Sequence, residues 1–321
     1  MKTRIHIVGL LAVLMIVACQ RVPEEPKVIH TCAESPAGRA CAMCFAADGV
    51  IYLAGGRVQN GSYPGTMLCY DTENDRWSET ATIPLTPRVN GTVCTTEQGV
   101  FMGLGFAGGS VHMDSTYLRD WWKFEPGTGT WTQLANYPAK QTAAAVSWYD
   151  GQKVWVACGF NGYTQEVWQY DIATDCWEKA GEESPIRVMS AVAAKCDGRY
   201  FIGTGFHNIS HSYWYEWFED GHWEKRSSVP GKGRHNAACS ATDKAVWVIG
   251  GWHYGDSLTT GFYYDDILRY SPTDDQWTLC GTIPCGVTEN GVACAVGKRV
   301  YFGLGEDKNG QLHREWYYIE D

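Results

Sequence analysis

Charge is sparse in this chain of 321 residues, and basic charge is the scarcer kind: 26 Lys and Arg stand against 36 Asp and Glu, a formal net charge of -10. Duplex nucleic acid needs a basic footprint, so the balance argues against it as a partner. No long amphipathic helical pattern appears after residue 18. There is no nucleophile elbow and no phosphate-binding glycine loop. Metal-ligand spacing is also missing. Cys41 and Cys44 stand three apart, but no second pair with partner histidines follows them. The expectation is therefore no metal and no cofactor. Of 13 cysteines, Cys44, Cys94 and Cys294 fall at one recurring apolar position and read as small buried hydrophobes. Cys280 and Cys285 flank a turn and would pair only in an oxidising compartment.

The N-terminal apolar run, Ile5–Ala18, follows Lys2 and Arg4 and is too short to span a bilayer comfortably. It reads as a signal peptide over residues 1–18. Its end, Ile16-Val17-Ala18-Cys19, resembles the lipobox of bacterial lipoproteins, which implies acylation of Cys19 and a membrane held through lipid. The alternative is a plain signal peptide with an incidental cysteine. Residues 19–26 carry two Pro and three charges with no apolar pattern, and read as a tether. The implied location is the bacterial cell envelope, periplasmic or on the outer-membrane surface.

What the chain has in abundance is glycine (36), tryptophan (15) and tyrosine (18). They are spread evenly, as many short strands and tight turns require. The chain repeats itself six times. Each unit has an apolar strand ending in glycine: Gly56, Gly105, Gly159, Gly205, Gly251 and Gly305. Turn signals such as Asp48-Gly49, Asp150-Gly151 and Asp197-Gly198 precede these strands and fit hairpins. An aromatic follows (Tyr70, Phe124, Tyr170, Phe218, Tyr270), then a tryptophan (Trp77, Trp131, Trp177, Trp223, Trp277). A period near 50 residues means a propeller or a solenoid.

Glycines after a second strand, Tyr-Asp and a spaced Trp resemble the kelch repeat, over roughly residues 27–321. The resemblance implies an all-β, six-bladed kelch β-propeller. The sixth unit stops at a third strand, residues 314–321, while residues 27–32 form a spare strand at the other end. These residues are expected to complete the last blade and close the ring, which covers a sheet edge.

In a propeller the loops joining strands two and three share a face with the links between blades. Two sets of residues are expected there. Arg39, Arg88, Lys140, Arg187 and Arg234, with Thr288 in the sixth unit, precede the inner strands, Arg39 one residue out of register. Such a ring suits carboxylates; the structural alternative is that these cations only bond backbone carbonyls or neighbouring acids. Arg57, Phe106, Asn161, His207, Trp252, His253 and Glu306 follow the glycines. Aromatic faces with directional polar groups suit a sugar. The leading expectation is a binding propeller for glycan or protein. Kelch propellers also include galactose oxidase, whose copper site finds no matching spacing here, and N-acetylneuraminate epimerases. The second implies an alternative: an epimerase or mutarotase for an acidic sugar, with His207 or His253 and Glu306 as proton donor and acceptor.

Overall fold

The computed structural model describes residues 22–109, 113, 116–140, 142–160, 163–255 and 260–321. The signal peptide, Cys19 and Asn161 lie outside them. Alternating apolar residues, cut every few positions by turn residues, give six antiparallel four-stranded sheets. Blade one is Met43–Ala47, Val50–Ala54, Met67–Asp71 and Arg76–Glu79. Blade two is Thr92–Thr96, Gly99–Gly103, Trp121–Glu125 and Thr130–Leu134. Blade three is Val146–Tyr149, Lys153–Ala157, Val167–Asp171 and Cys176–Lys179. Blade four is Val192–Cys196, Arg199–Gly203, Trp214–Trp217 and Trp223–Lys225. Blade five is Ala238–Ala241, Val246–Ile249, Asp266–Ser271 and Gln276–Thr282. Blade six is Val292–Val296, Arg299–Gly303 and Trp316–Glu320, completed on its outer edge by Ile29–Thr31. Ile29 pairs with Ile319 and Thr31 with Tyr317, so the first strand closes the ring.

Six apolar clusters fill the wedges between neighbouring blades. Tryptophans staple the wedges as well as fill them. Trp77 Nε1 donates to the Ala33 carbonyl at 2.8 Å, Trp177 to Ala135 at 2.9 Å and Trp277 to Ser227 at 2.8 Å. In each case the acceptor follows the outer strand of the preceding blade. Blade four departs from the expected pattern. Its strand aromatic is Trp217, paired with Trp223, and Phe218 falls in the turn beyond.

Residues 23–26, expected within the tether, instead run with Lys27 along the outer strand of blade five. Leu279 N–H donates to the Pro23 carbonyl (2.8 Å), and Glu25 and Lys27 N–H donate to the carbonyls of Leu279 and Cys280 (both 2.9 Å).

A second ring surrounds the axis. Cys41, Asn90, Ala144, Ser190, Asn236 and Asn290 all take left-handed backbone angles, φ 52–58°. Each N–H donates to the carbonyl of the previous member, and Cys41 closes the circle on Asn290 at 3.0 Å. Six equivalent backbone groups thereby find partners without any sheet. Cavities of 170 and 260 Å³ lie along the axis, lined by the ring and the inner strands below it. Cys44 lines the wider one and is half-buried, whereas Cys94 and Cys294 are buried.

Candidate functional site

Glycine sets the register of the mouth. Gly56, Gly105, Gly159, Gly205, Gly251 and Gly305 donate their N–H groups to the carbonyls of Arg88, Thr142, Val188, Arg234, Thr288 and Arg39 in the next blade. Their positive φ and the close approach of the link entering their own blade leave no room for a Cβ; at Gly305 one would lie 2.5 Å from the Glu289 carbonyl. The equivalent positions are therefore Arg39, Arg88, Thr142, Val188, Arg234 and Thr288. Arg39 is in register; Lys140 and Arg187 are not, and both sit exposed on their links.

Nor do the three in-register arginines line the mouth. Arg39, Arg88 and Arg234 are at most 2% exposed. Arg88 grips Asp120 with two bonds, 2.7 and 2.6 Å, and the Leu104 carbonyl at 2.9 Å. Arg234 grips Asp266 at 2.5 and 2.8 Å, bonds the Gly250 carbonyl at 3.0 Å and lies 3.7 Å from the Tyr264 ring centre. Arg39 donates to the Gly55 carbonyl at 2.7 Å. A guanidinium this deep must spend its donors inside the blade, since an unpaired buried charge is costly.

The glycine-following residues do meet at the mouth. Each pairs through an antiparallel bridge with the residue after the arginine position: Ala40 with Arg57, Val89 with Phe106, Ala143 with Phe160, Met189 with Phe206, His235 with Trp252, Glu289 with Glu306. Aromatic contacts run along one arc. Phe106 meets Tyr117 (ring centres 5.3 Å apart), Tyr117 meets Phe160 (5.9 Å), Phe160 meets Tyr163 (5.3 Å) and Tyr163 meets His207 (4.6 Å). Phe206, Trp252, Tyr254 and Tyr263 continue it through blades four and five, with Trp252 stacked on Tyr263 at 5.8 Å.

A polar cluster closes the circle. Arg57 Nη2 donates to Glu306 Oε2 at 2.5 Å, and Asn290 Nδ2 donates to Glu306 Oε1 at 3.0 Å. Asn236 Nδ2 donates to Glu289 Oε2 at 2.6 Å. Burial, reinforced by the Glu306 charge and opposed by the Asn236 bond, raises the Glu289 carboxyl above the ordinary range. The hydrogen bond from Arg57 to Glu306 raises the guanidinium further. Two carboxyls on one backbone bridge thus occupy different environments.

The histidines keep other company. His253 is buried, with Nδ1 at 3.0 Å from the Gly233 carbonyl, behind the mouth. His207 packs on Tyr163, its ring tilted, and stands two blades from Glu306 in blade order. The expected convergence of His207 or His253 on Glu306 is replaced by Glu289 beside Glu306. His235 is buried under the arc, with Nδ1 at 2.9 Å from Ser210 Oγ. Burial, then the neighbouring His253, lowers it to about 4. Glu289 and His235 were detectable in the repeat alignment as the two ionisable residues at a position otherwise held by Ala, Val and Met. Tyr163 and Tyr263 lie in variable loops, where the repeat gives no register.

The Kelch motif matches the sequence at residues 38–84 and again at 233–284. No curated protein sequence matches the chain. Among solved structures, that of YjhT is similar over 90% of this chain and 95% of its own length, with a TM-score of 0.73 at 17% identity. With the six sheets and the strand that closes them, these matches make the chain a kelch-repeat β-propeller.

Proposed function

We propose that the mouth binds a carbohydrate, in a protein lipid-anchored to a bacterial cell envelope through Cys19. The carrying observation is the division of one mouth into an arc of aromatic rings and a cluster of carboxyl, amide and guanidinium groups. Apolar sugar faces stack on rings, while hydroxyls need directional donors and acceptors. Two carboxyls face one guanidinium, and that guanidinium is committed to Glu306, which favours neutral or amino sugars over acidic ones. The test is a thermal-shift and calorimetric screen against neutral, amino and acidic sugars. A saturating ligand at a hundredfold over Kd stabilises by about 2.7 kcal/mol. Trp252→Ala and Arg57→Ala should abolish the shift; no shift with any sugar overturns the reading and turns attention to a protein ligand. Anchoring is tested separately, by whether Cys19→Ser moves the protein out of the membrane fraction.

One observation favours a second reading, a sugar epimerase or mutarotase. Two adjacent carboxyls, one of them raised by burial, suit acid and base roles. Glu289 would hold the proton and Glu306 would accept one. Exchange spectroscopy on the anomers of any bound sugar decides it: exchange no faster than in buffer leaves a binding site alone.

A further inference from the structure

Acids at the start of the third strands take a cation in three blades. Asp120 in blade two takes Arg88, and Asp266 in blade five takes Arg234. In blade three the arginine position is Thr142, and Glu166 takes Lys179 instead, at 2.8 Å. Blade six has Thr288 at the arginine position and Glu315 at the acid position. Among the described residues, no lysine or arginine pairs with Glu315. Its neighbours are His313, with Nδ1 3.3 Å from Oε2, and Cys285. Ligand atoms of Cys285, His313 and Glu315 all lie within 4.8 Å of one another, and each side chain is half-buried. Buried His313 Nε2 has no hydrogen-bond partner. The Arg314 N–H donates to Glu315 Oε2 at 2.9 Å and helps hold the carboxylate.

We propose that Cys285, His313 and Glu315 form a zinc site, in which the metal takes the place that a guanidinium or ammonium holds in blades two, three and five. Thiolate, imidazole and carboxylate together select a borderline-soft divalent ion, and three protein ligands with a water complete a tetrahedron. With ordinary zinc bond lengths, ligand atoms in such a site stand ~3.3–3.6 Å apart. The His313–Glu315 separation already fits, and Cys285 needs only a side-chain adjustment. Binding releases the thiol proton to solvent. The site joins the blade-five-to-six link, which carries Glu289, to the blade-six loop, which carries Glu306. It would fix one carboxyl relative to the other. Sequence spacing conceals it, because two strands of blade six lie between Cys285 and the His313–Glu315 pair. This proposal does not depend on what the mouth binds.

The experiment uses the purified full chain, reduced and freed of metal, titrated with Co(II) and then Zn(II). A sulfur-to-cobalt charge-transfer band with intense visible transitions of a tetrahedral ion should appear at one equivalent and be displaced by zinc. Both signatures should vanish in Cys285→Ser and weaken at least tenfold in affinity in His313→Gln, but persist in Cys176→Ser. Zinc should also slow alkylation of Cys285, followed by peptide mass. Circular dichroism of each variant checks its fold. Absence of stoichiometric binding, or an undiminished band in folded Cys285→Ser, overturns the site.

Discussion

Arg57 in blade one reaches Glu306 in blade six, Nη2 to Oε2 at 2.5 Å, so a single ion pair spans the seam where the chain closes on itself. Gln59 crosses the same seam, accepting the Leu312 N–H at 2.8 Å. Arg57→Ala should therefore act on stability as well as on the mouth. The pair is half-buried, and about 1–2 kcal/mol is expected from chemical denaturation, with midpoint lowered and slope unchanged. An unaltered midpoint would mean that the seam is held by the strand pairing alone.

The closing strand gives a larger effect. Ile29 packs on the cluster between blades five and six, and Cys32 is buried in the next wedge. Deleting residues 22–32 exposes the edge of Trp316–Glu320. It should lower Tm by several degrees and promote self-association. Scanning calorimetry with light scattering tests both. Unchanged melting would show that three strands suffice for blade six.

Glu289 ties stability to pH. Its folded proton affinity is raised by burial, so the native state binds more protons than the unfolded chain just above the ordinary glutamate range. That contribution is complete at low pH and is lost as pH rises through the folded value. Glu289→Gln should lack this falling limb, so the stability difference between wild type and variant should fall as pH rises through the folded value. A flat difference would contradict the desolvated carboxyl.

His235 works in the opposite sense. Lowered by burial to about 4, it stays neutral in the fold while the unfolded imidazole charges near its ordinary value. Its contribution is complete above pH ~6.5 and falls away as pH drops toward 4, by up to about 3 kcal/mol. Urea midpoints of wild type and His235→Gln across that window should converge toward the acid end.

Gly103→Ala probes the arginine clamp. A Cβ there would lie 2.0 Å from the Asp120 carbonyl, so the segment holding the partner of Arg88 must move. A loss above ~2 kcal/mol is expected. The same change at Gly127, where nothing lies within 4 Å, should be nearly neutral and serves as the control.

The fold was legible because each unit repeats the same requirements. Glycine must end the second strand where the link entering the same blade crosses it, and in three units tryptophan reaches the preceding link. The mouth was less legible. Counting from the glycines gives the register of Arg57 and Glu306, since the following residue is fixed by its backbone bridge. Counting along the links failed: their lengths vary, so Lys140 and Arg187 seemed equivalent to Arg88, whereas Thr142 and Val188 are. Sequence also does not say which way a side chain turns. Arg88 and Arg234 turn into their blades because Asp120 and Asp266 wait there, and that pairing spans 32 residues.

The docked segment 23–27 bears on how the molecule would sit in an envelope. Because it is strapped to the outer strand of blade five, only two residues, Gln20 and Arg21, separate Cys19 from Val22, a span of three steps along the chain. An extended chain covers ~3.5 Å per residue, so this leash reaches about 10 Å. Acyl chains on Cys19 would moor the disc by its rim, with the propeller axis lying roughly along the bilayer. The mouth would then open sideways, toward whatever lies beside the protein on the same surface, and not outward into the medium.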